Sequence, residues 1–408
     1  MRSLLPVILC ACVVALPLRA AEPAPVGTGF NPKISLILQG TYADFSSKLE
    51  PEVAGFLLGP ETELRPAGFS LGETELAIEA NIDDAYHGWA TVALENEDGE
   101  TVVAVEEAYI NTLALPSGFN VKFGRFFSDL GYLNRVHSHG WDFADQPLVY
   151  RALLANQYSD DGLQARWVAP TDVFLEFGAE VLRGDGFPGG GGDRSGVNAT
   201  TLFTHWGGDL GGEGSYRAGL WMLNTDADGR ETGGENAPEA FSFFGDSRLY
   251  GLDVVYKWAR NGNPADRNFI LQAEYIVRDE DGRLDASGVG DLDGDGVDDD
   301  VSTNYDSEAD GFYVQGILQF IPRWRVGLRY DSLSADNKLS NNPLGQFDIL
   351  DDSDDPERVG VMLDYSRSEF SRIRLQYNRD ESRPRGEKDD QFYVQYIYSL
   401  GSHPAHQF

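Results

Sequence analysis

From Lys33 to Leu400, apolar and polar side chains alternate with a period of two. The alternating stretches run about 10–14 residues and are separated by turn residues, the pattern of half-buried β-strands. About sixteen strands are expected on this pattern. They begin with Lys33–Phe45 and Phe69–Ile82 and end with Arg358–Ser366, Ser371–Arg379 and Gln391–Leu400. One parity of each stretch is apolar: Leu76, Ile78, Ala80 and Ile82; Phe269, Leu271, Ala273, Tyr275 and Val277; Phe312, Val314, Gly316, Leu318 and Phe320; Trp324, Val326, Leu328 and Tyr330. Many of these rows end in Tyr, Trp or Phe, the residues a membrane interface favours.

The connections alternate in length. Ser46–Gly68, Ser128–Gln157, Gly184–Gly196, Asp226–Phe241, Asp279–Ser307 and Asp336–Asp355 are long, whereas Asp83–Tyr86, Leu115–Gly118, Ala169–Asp172 and Ile321–Trp324 are tight. Lipid offers backbone groups no partners, so a sheet that spans it must close on itself. A large soluble β-sandwich would alternate too, but it requires neither aromatic row ends nor this asymmetry of loops. The expected fold is therefore all-β: a transmembrane antiparallel up-and-down β-barrel of about 16 strands, with long extracellular loops and short periplasmic turns.

The ends of the chain fit that fold. Residues 1–21 carry Arg2, an apolar run from Leu4 to Leu18, and Ala20-Ala21, which reads as a secretory signal peptide. Residues 22–32 make a short periplasmic segment, 33–400 the barrel and 401–408 a periplasmic tail. The aromatic closing strand and Phe408 have the form of the C-terminal signal by which barrels reach the barrel-assembly machinery. Cys10 and Cys12 fall inside the leader, so the mature chain has no thiol to bridge or to ligate a metal. With 66 acidic against 32 basic residues and a net charge of −34, nucleic acid is excluded as a partner.

A barrel of this size leaves an aqueous lumen unless something fills it. The inward parity places Glu75, Glu79, Glu176 and Glu180 on early strands and Arg323, Arg325, Arg329, Arg358, Arg372 and Arg374 on late ones. Facing walls of opposite sign imply a transverse field that would set ion preference. Solvated charges without a selective role are the alternative. The third long connection, residues 128–157, has few carboxylates and many aromatic and aliphatic residues, a composition for packing. It resembles the constriction loop of general porins, which folds inward. On that resemblance Arg125, Arg135, Asp142, Asp145 and Arg151 would form the eyelet, with His137 and His139 on the same loop. A loop that braces the outer rim is the alternative.

Two motifs suggest metals. In DLDGDGVDDD, the residues Asp291, Asp293, Asp295, Val297 and Asp299 stand where a calcium loop places its ligands, with Gly296 at the turn. Ser302 replaces the closing Glu, so weak structural Ca2+ and a merely solvated acidic loop are both consistent. His137 and His139, with His403 and His406, invite a zinc reading, but the tail pair would lie across the membrane. No His has an evident nucleophile partner in the sequence, so no enzyme activity and no required cofactor are expected.

At FNPKISLILQGTY (Phe30–Tyr42), FSLGETELAIEANID (Phe69–Asp83), WDFADQPLVYRA (Trp141–Ala152) and the HPAHQF ending, the chain resembles a family of proteobacterial outer-membrane porin-like barrels. The resemblance covers nearly the whole mature length. Members are loosely catalogued as porins or as zinc-regulated or TonB-dependent receptors; a receptor of that kind needs an N-terminal plug and about 22 strands, which this sequence lacks. The reading is a plugless porin in the outer membrane of a Gram-negative bacterium, passing small hydrophilic solutes or ions by diffusion. A metal-linked nutrient channel or receptor and a closed barrel for surface binding or adhesion stay open. The implied partners are outer-membrane lipid and lipopolysaccharide, the assembly machinery and small solutes, with a homotrimer left open.

Overall fold

The computed structural model describes residues 32–401, apart from 49–51, 61, 98–99, 193–194, 233–240, 288–298, 343–344, 346 and 352–354. The first wall of the sheet comprises β1 (Lys33–Phe45), β2 (Gly68–Leu71), β3 (Thr74–Asn81), β4 (Tyr86–Glu97), β5 (Glu100–Thr112), β6 (Phe119–Phe127), β7 (Ser159–Val168), β8 (Phe174–Leu182) and β9 (Ala199–Leu210). The second comprises β10 (Gly214–Thr232), β11 (Phe241–Ala259), β12 (Asn268–Ala286), β13 (Val301–Ile321), β14 (Trp324–Leu339), β15 (Glu357–Ser368), β16 (Ser371–Glu381) and β17 (Asp389–Gly401). One helix, α1 (Leu148–Leu154), lies in the third loop.

Each strand pairs antiparallel with its neighbours, and β1 pairs β17 from Ser35 opposite Gly401 to Phe45 opposite Gln391, closing the cylinder. The short β2 lies along the upper part of β1 while β3 lies along its lower part, so the two share one wall position broken at Gly72-Glu73. The barrel thus has the expected sixteen wall positions.

The outward face carries the apolar band lipid requires: Leu76, Ile78, Leu220, Leu252, Val254, Leu271, Val314, Leu318, Val326, Leu328, Val361 and Leu375 are all exposed. Its extracellular edge is aromatic, and register sets Tyr275 beside Phe312 and Tyr377 beside Phe392. Trp324 and Tyr398 are among the exposed aromatics at the opposite edge.

Two expected loops are strand over about half of their length among the described residues. β10 continues to Thr232, β12 to Ala286, and β13 begins at Val301, inside the stretches expected as the loops Asp226–Phe241 and Asp279–Ser307. Beyond the membrane the outward face needs no apolar side chains, so the contrast that marks a strand fades. The alternation itself persists: Leu284, Ala286, Val301, Tyr305 and Ala309 are buried inward, while Asp279, Asp281, Asp306 and Glu308 face solvent. Of the calcium-loop residues, Asp291, Asp293, Asp295 and Val297 lie outside the described residues, and Asp299 stands just before β13. The leader and the tail beyond Gly401, with His403 and His406, also lie outside them.

The main core sits within the lumen. Leu148, Val149, Tyr150, Leu153 and Leu154 of α1 form one buried cluster with Phe126 and Tyr158, with Leu249, Ile276, Tyr313 and Leu333 from the barrel wall, and with Val53, Phe56 and Leu58 of the first loop.

Candidate functional site: the third loop across the lumen

The third loop crosses the lumen and is moored to several parts of the wall. At its neck the Asn134 side chain donates to the carbonyls of Ser128 (2.9 Å) and Tyr158 (2.8 Å) and accepts from Tyr158 N (2.7 Å). Ser128 Oγ and Asp129 N donate to Glu180 of β8. Farther along, Glu274 of β12 accepts from Tyr132 N (3.2 Å), Leu133 N (2.9 Å), Tyr150 Oη (2.8 Å) and Tyr313 Oη (2.7 Å). That approach needs Gly131, whose φ of 71° and bare Cα let the backbone reach the wall; a Cβ there would collide with the Glu274 carboxylate.

The late strands hold the loop through arginines. Arg329 donates to Asp145 O (2.8 Å) and pairs with Asp145 Oδ2 (3.0 Å). Arg358 pairs with the same Oδ2 (2.8 Å) and donates to Gln146 O (2.5 Å). Arg325 bridges Asp142 (2.7 Å) and Asp364 (2.5 Å). Arg374 and Arg372 donate to Trp141 O at 2.7 and 3.2 Å. Between these contacts Ala144 N reaches Gln376, and Leu148 N reaches Asp331 at the start of α1. Burial alone would raise the Asp145 carboxyl, but the guanidiniums of Arg329 and Arg358 outweigh it and hold it below the ordinary carboxylate range.

The expected transverse field is therefore corrected. Arg329, Arg358 and Arg374 are buried and paired with carboxylates of their own wall, Asp331, Asp364 and Asp380, as well as with the loop. The parity that singled out the arginines holds these aspartates too, at Asp331, Asp364 and Asp380; reading only the basic members hid a neutral ladder. Arg323 is not on a strand at all. It occupies the turn between β13 and β14 with φ 75° and is exposed. Arg125 faces outward, where it pairs with Asp161 at 2.8 Å, and takes no part in an eyelet. Arg135 is half-buried beside Asp129 (3.4 Å), and buried Arg151 donates to Thr62 O of the first loop (2.7 Å).

The early wall holds His137 and His139. His139 Nδ1 is 2.8 Å from Glu75 Oε1; His137 Nε2 is 2.9 Å from Glu107 Oε2, and its Nδ1 lies 3.3 Å from Glu75 and 3.4 Å from Glu106. Burial would lower the His137 imidazole, but these three carboxylates hold it well above its ordinary value. The remaining Glu residues are tied to the wall: Glu79 to Lys33 (2.8 Å) and Glu176 to His205 (3.1 Å).

Toward the periplasmic ends of the strands, Lys122, Arg135, Arg166, Lys257, Arg325 and Arg372 are half-buried in the lumen. Lys122 lies 4.7 Å over the Tyr109 ring and Lys257 5.7 Å over Tyr132 of the loop. Lys122, Arg166 and Lys257 were missed in the sequence because each is the one inward-facing basic residue of its strand, and only closure of the cylinder brings them together.

A closed sixteen-position barrel with an apolar outer band, aromatic edges and an inward third loop defines an outer-membrane barrel of the porin type. Solved structures with this fold include the outer-membrane channel DcaP of Acinetobacter baumannii, 13% identical with a TM-score of 0.55 over 91% of this chain and 98% of that one. An anion-selective porin from Comamonas acidovorans is 8% identical, with a TM-score of 0.53 over 91% and 100%. OmpF of Salmonella typhi is 14% identical, with a TM-score of 0.51 over 91% and 98%. No family model matches the chain. It is 31% identical over 410 residues to an uncharacterised protein of Aquifex aeolicus (strain VF5), covering 93% of this chain and 80% of that one. The chain belongs to one family with that protein.

Proposed function

We propose that this barrel is an outer-membrane channel for small hydrophilic solutes, narrowed by a moored third loop and favouring anions in the passage that remains. The observation that carries the reading is the set of half-buried cations Lys122, Arg135, Arg166, Lys257, Arg325 and Arg372 on the periplasmic side of the loop. Several of them are paired, Arg166 with Asp129 and Glu176 at 3.7 and 3.8 Å and Arg325 with Asp142 and Asp364, so the anion preference is referred chiefly to Lys122 and Lys257, which stand over aromatic rings.

The test is conductance of the refolded mature protein in planar bilayers under a KCl gradient. Stable current steps with a reversal potential on the chloride side support the reading, and Arg166→Ala with Lys257→Ala should move that potential toward potassium. A cation preference in the unaltered protein would reject the anion reading. A second reading has its own observation: the buried cluster reaches from Phe203 on β9 to Leu333 on β14, which favours a closed lumen. A folded, inserted and silent barrel would support that reading and leave surface binding as the role to test.

A further inference from the structure

The mooring of His137 has a feature its neighbours lack. On β5 the register slips, so that Glu107 stands opposite Thr91 while Val105 stands opposite the next residue, Val92. Glu106 is the extra residue of this β-bulge. An ordinary strand would send Glu106 and Glu107 to opposite faces, but the bulge turns both toward the lumen. The adjoining wall position is broken at Gly72-Glu73, and Glu73 hydrogen-bonds Glu106 there. Two irregularities of the wall thus bring carboxylates to the place where His137 arrives.

We infer that His137 Nδ1, Glu75 Oε2 and Glu106 Oε2 form a binding site for a divalent transition-metal ion of the zinc class. The three ligand atoms lie within 4.8 Å of one another. The two histidine–carboxylate separations are 3.3 and 3.4 Å. Ligands at ~2.0–2.1 Å from a tetrahedral zinc are separated by about 3.3–3.4 Å, so both edges already have the required length. Glu106 Oε2 and His137 Nδ1 are buried without a hydrogen-bond partner, and the Glu106 side chain is only 8% exposed. A buried ring nitrogen facing two carboxylate oxygens without a well-formed hydrogen bond needs a positive charge between them, either the ring's own proton or a metal ion that displaces it.

The surrounding groups orient the three ligands. Glu107 takes His137 Nε2 at 2.9 Å, fixing the ring with Nδ1 toward the site. His139 takes the other oxygen of Glu75 at 2.8 Å. A carboxylate behind a ligating imidazole is the usual second support of a bound metal. One nitrogen and two carboxylate oxygens suit zinc or cobalt better than calcium, which takes oxygen ligands in larger number. Three protein ligands leave a fourth position open, so a bound ion could exchange with the lumen. The ion would join the loop to β3 and β5, and this does not depend on whether the lumen conducts.

The test uses the full mature chain, folded in detergent, stripped with EDTA and titrated with Zn2+ by calorimetry; Co2+ then serves as a visible-absorption probe of tetrahedral nitrogen-oxygen coordination. One ion per barrel is expected, with affinity reduced about 10–100-fold or more in Glu106→Gln and, separately, in His137→Asn. His205→Gln, on a buried histidine of another wall, should bind as the unaltered protein does. Heat-modifiable migration on gels verifies that each variant is closed before it is titrated, and the unaltered protein alone decides if a variant fails to close. No stoichiometric ion in the unaltered protein would overturn the inference and leave His137 as a protonated clamp. Undiminished binding in both closed variants would also overturn it and place the ion elsewhere on this acidic chain.

Discussion

The third loop is moored at two contrasting places. On β14–β16 Arg325, Arg329, Arg358 and Arg374 each meet both an acceptor of the loop and an aspartate of the wall, so charge is balanced locally. On β3–β5 the donors are two histidines among the carboxylates of Glu73, Glu75, Glu106 and Glu107, and two buried atoms lack partners. Both lie in the same lumen, but the first is complete from the chain's own groups while the second has room and negative charge for a cation. A buried arrangement that satisfies itself works as a structural bolt; one that is short of positive charge becomes a receptor for it.

The contrast is broken most directly by Arg358→Ala. It leaves Asp145, Asp331 and Asp380 short of a cation they share, and loss of one partner from a buried pair costs about 3–5 kcal/mol. The temperature at which the barrel changes gel mobility should fall, and single-channel current should increase as the loop loosens. Wild-type values for both would show that the balanced mooring does not hold the loop.

Leu153→Ala tests whether the mooring needs the core behind it. Leu153 is fully buried in the lumen cluster, and removing such a side chain costs about 3 kcal/mol. Thermal stability should drop with less change in current than in Arg358→Ala, since the arginines still grip the loop. A larger change in current than Arg358→Ala gives would make the helix, and not the arginines, the main restraint.

The smallest effect is that of acid. Asp145 is held below the ordinary carboxylate range in the folded barrel, so its pairing contributes fully above that range and is lost as pH falls through the depressed value. Current should therefore widen only in strong acid, and Asp145→Asn should abolish that step. An acid step of the same size in Asp145→Asn would assign it to another group.

Much of the fold was legible in the sequence because lipid imposes a period of two on one face and closure on the whole. The band from Phe312 to Phe320 could be read directly, whereas the extensions of β10, β12 and β13 could not, since they rise where the outer face is polar. That residues 128–157 pack against the protein was legible in their apolar composition, whereas their inward direction was implied only by the resemblance to a constriction loop. What the loop grips was not: the aspartates at Asp331, Asp364 and Asp380 share parity with the arginines, but pairing across strands is a matter of register. The bulge at Glu106 was equally hidden, because a one-residue slip leaves no mark in composition.

The seam between β1 and β17 carries a consequence for how the protein is made. Residues Ser35–Phe45 must wait for Gln391–Gly401, at the far end of the chain. The third loop leaves the wall after β6, and although β3, β5 and β8 hold its histidines and its neck, the groups that hold its middle belong to β12 and β14–β16, which are synthesised long afterwards. A chain stalled before β14 has neither a seam nor a seated loop, only an open sheet edge and an apolar segment with nothing to cover it. Sealing the wall and filling its interior are thus a single late event in the life of the chain, and a truncated product has no intermediate shape in which to rest.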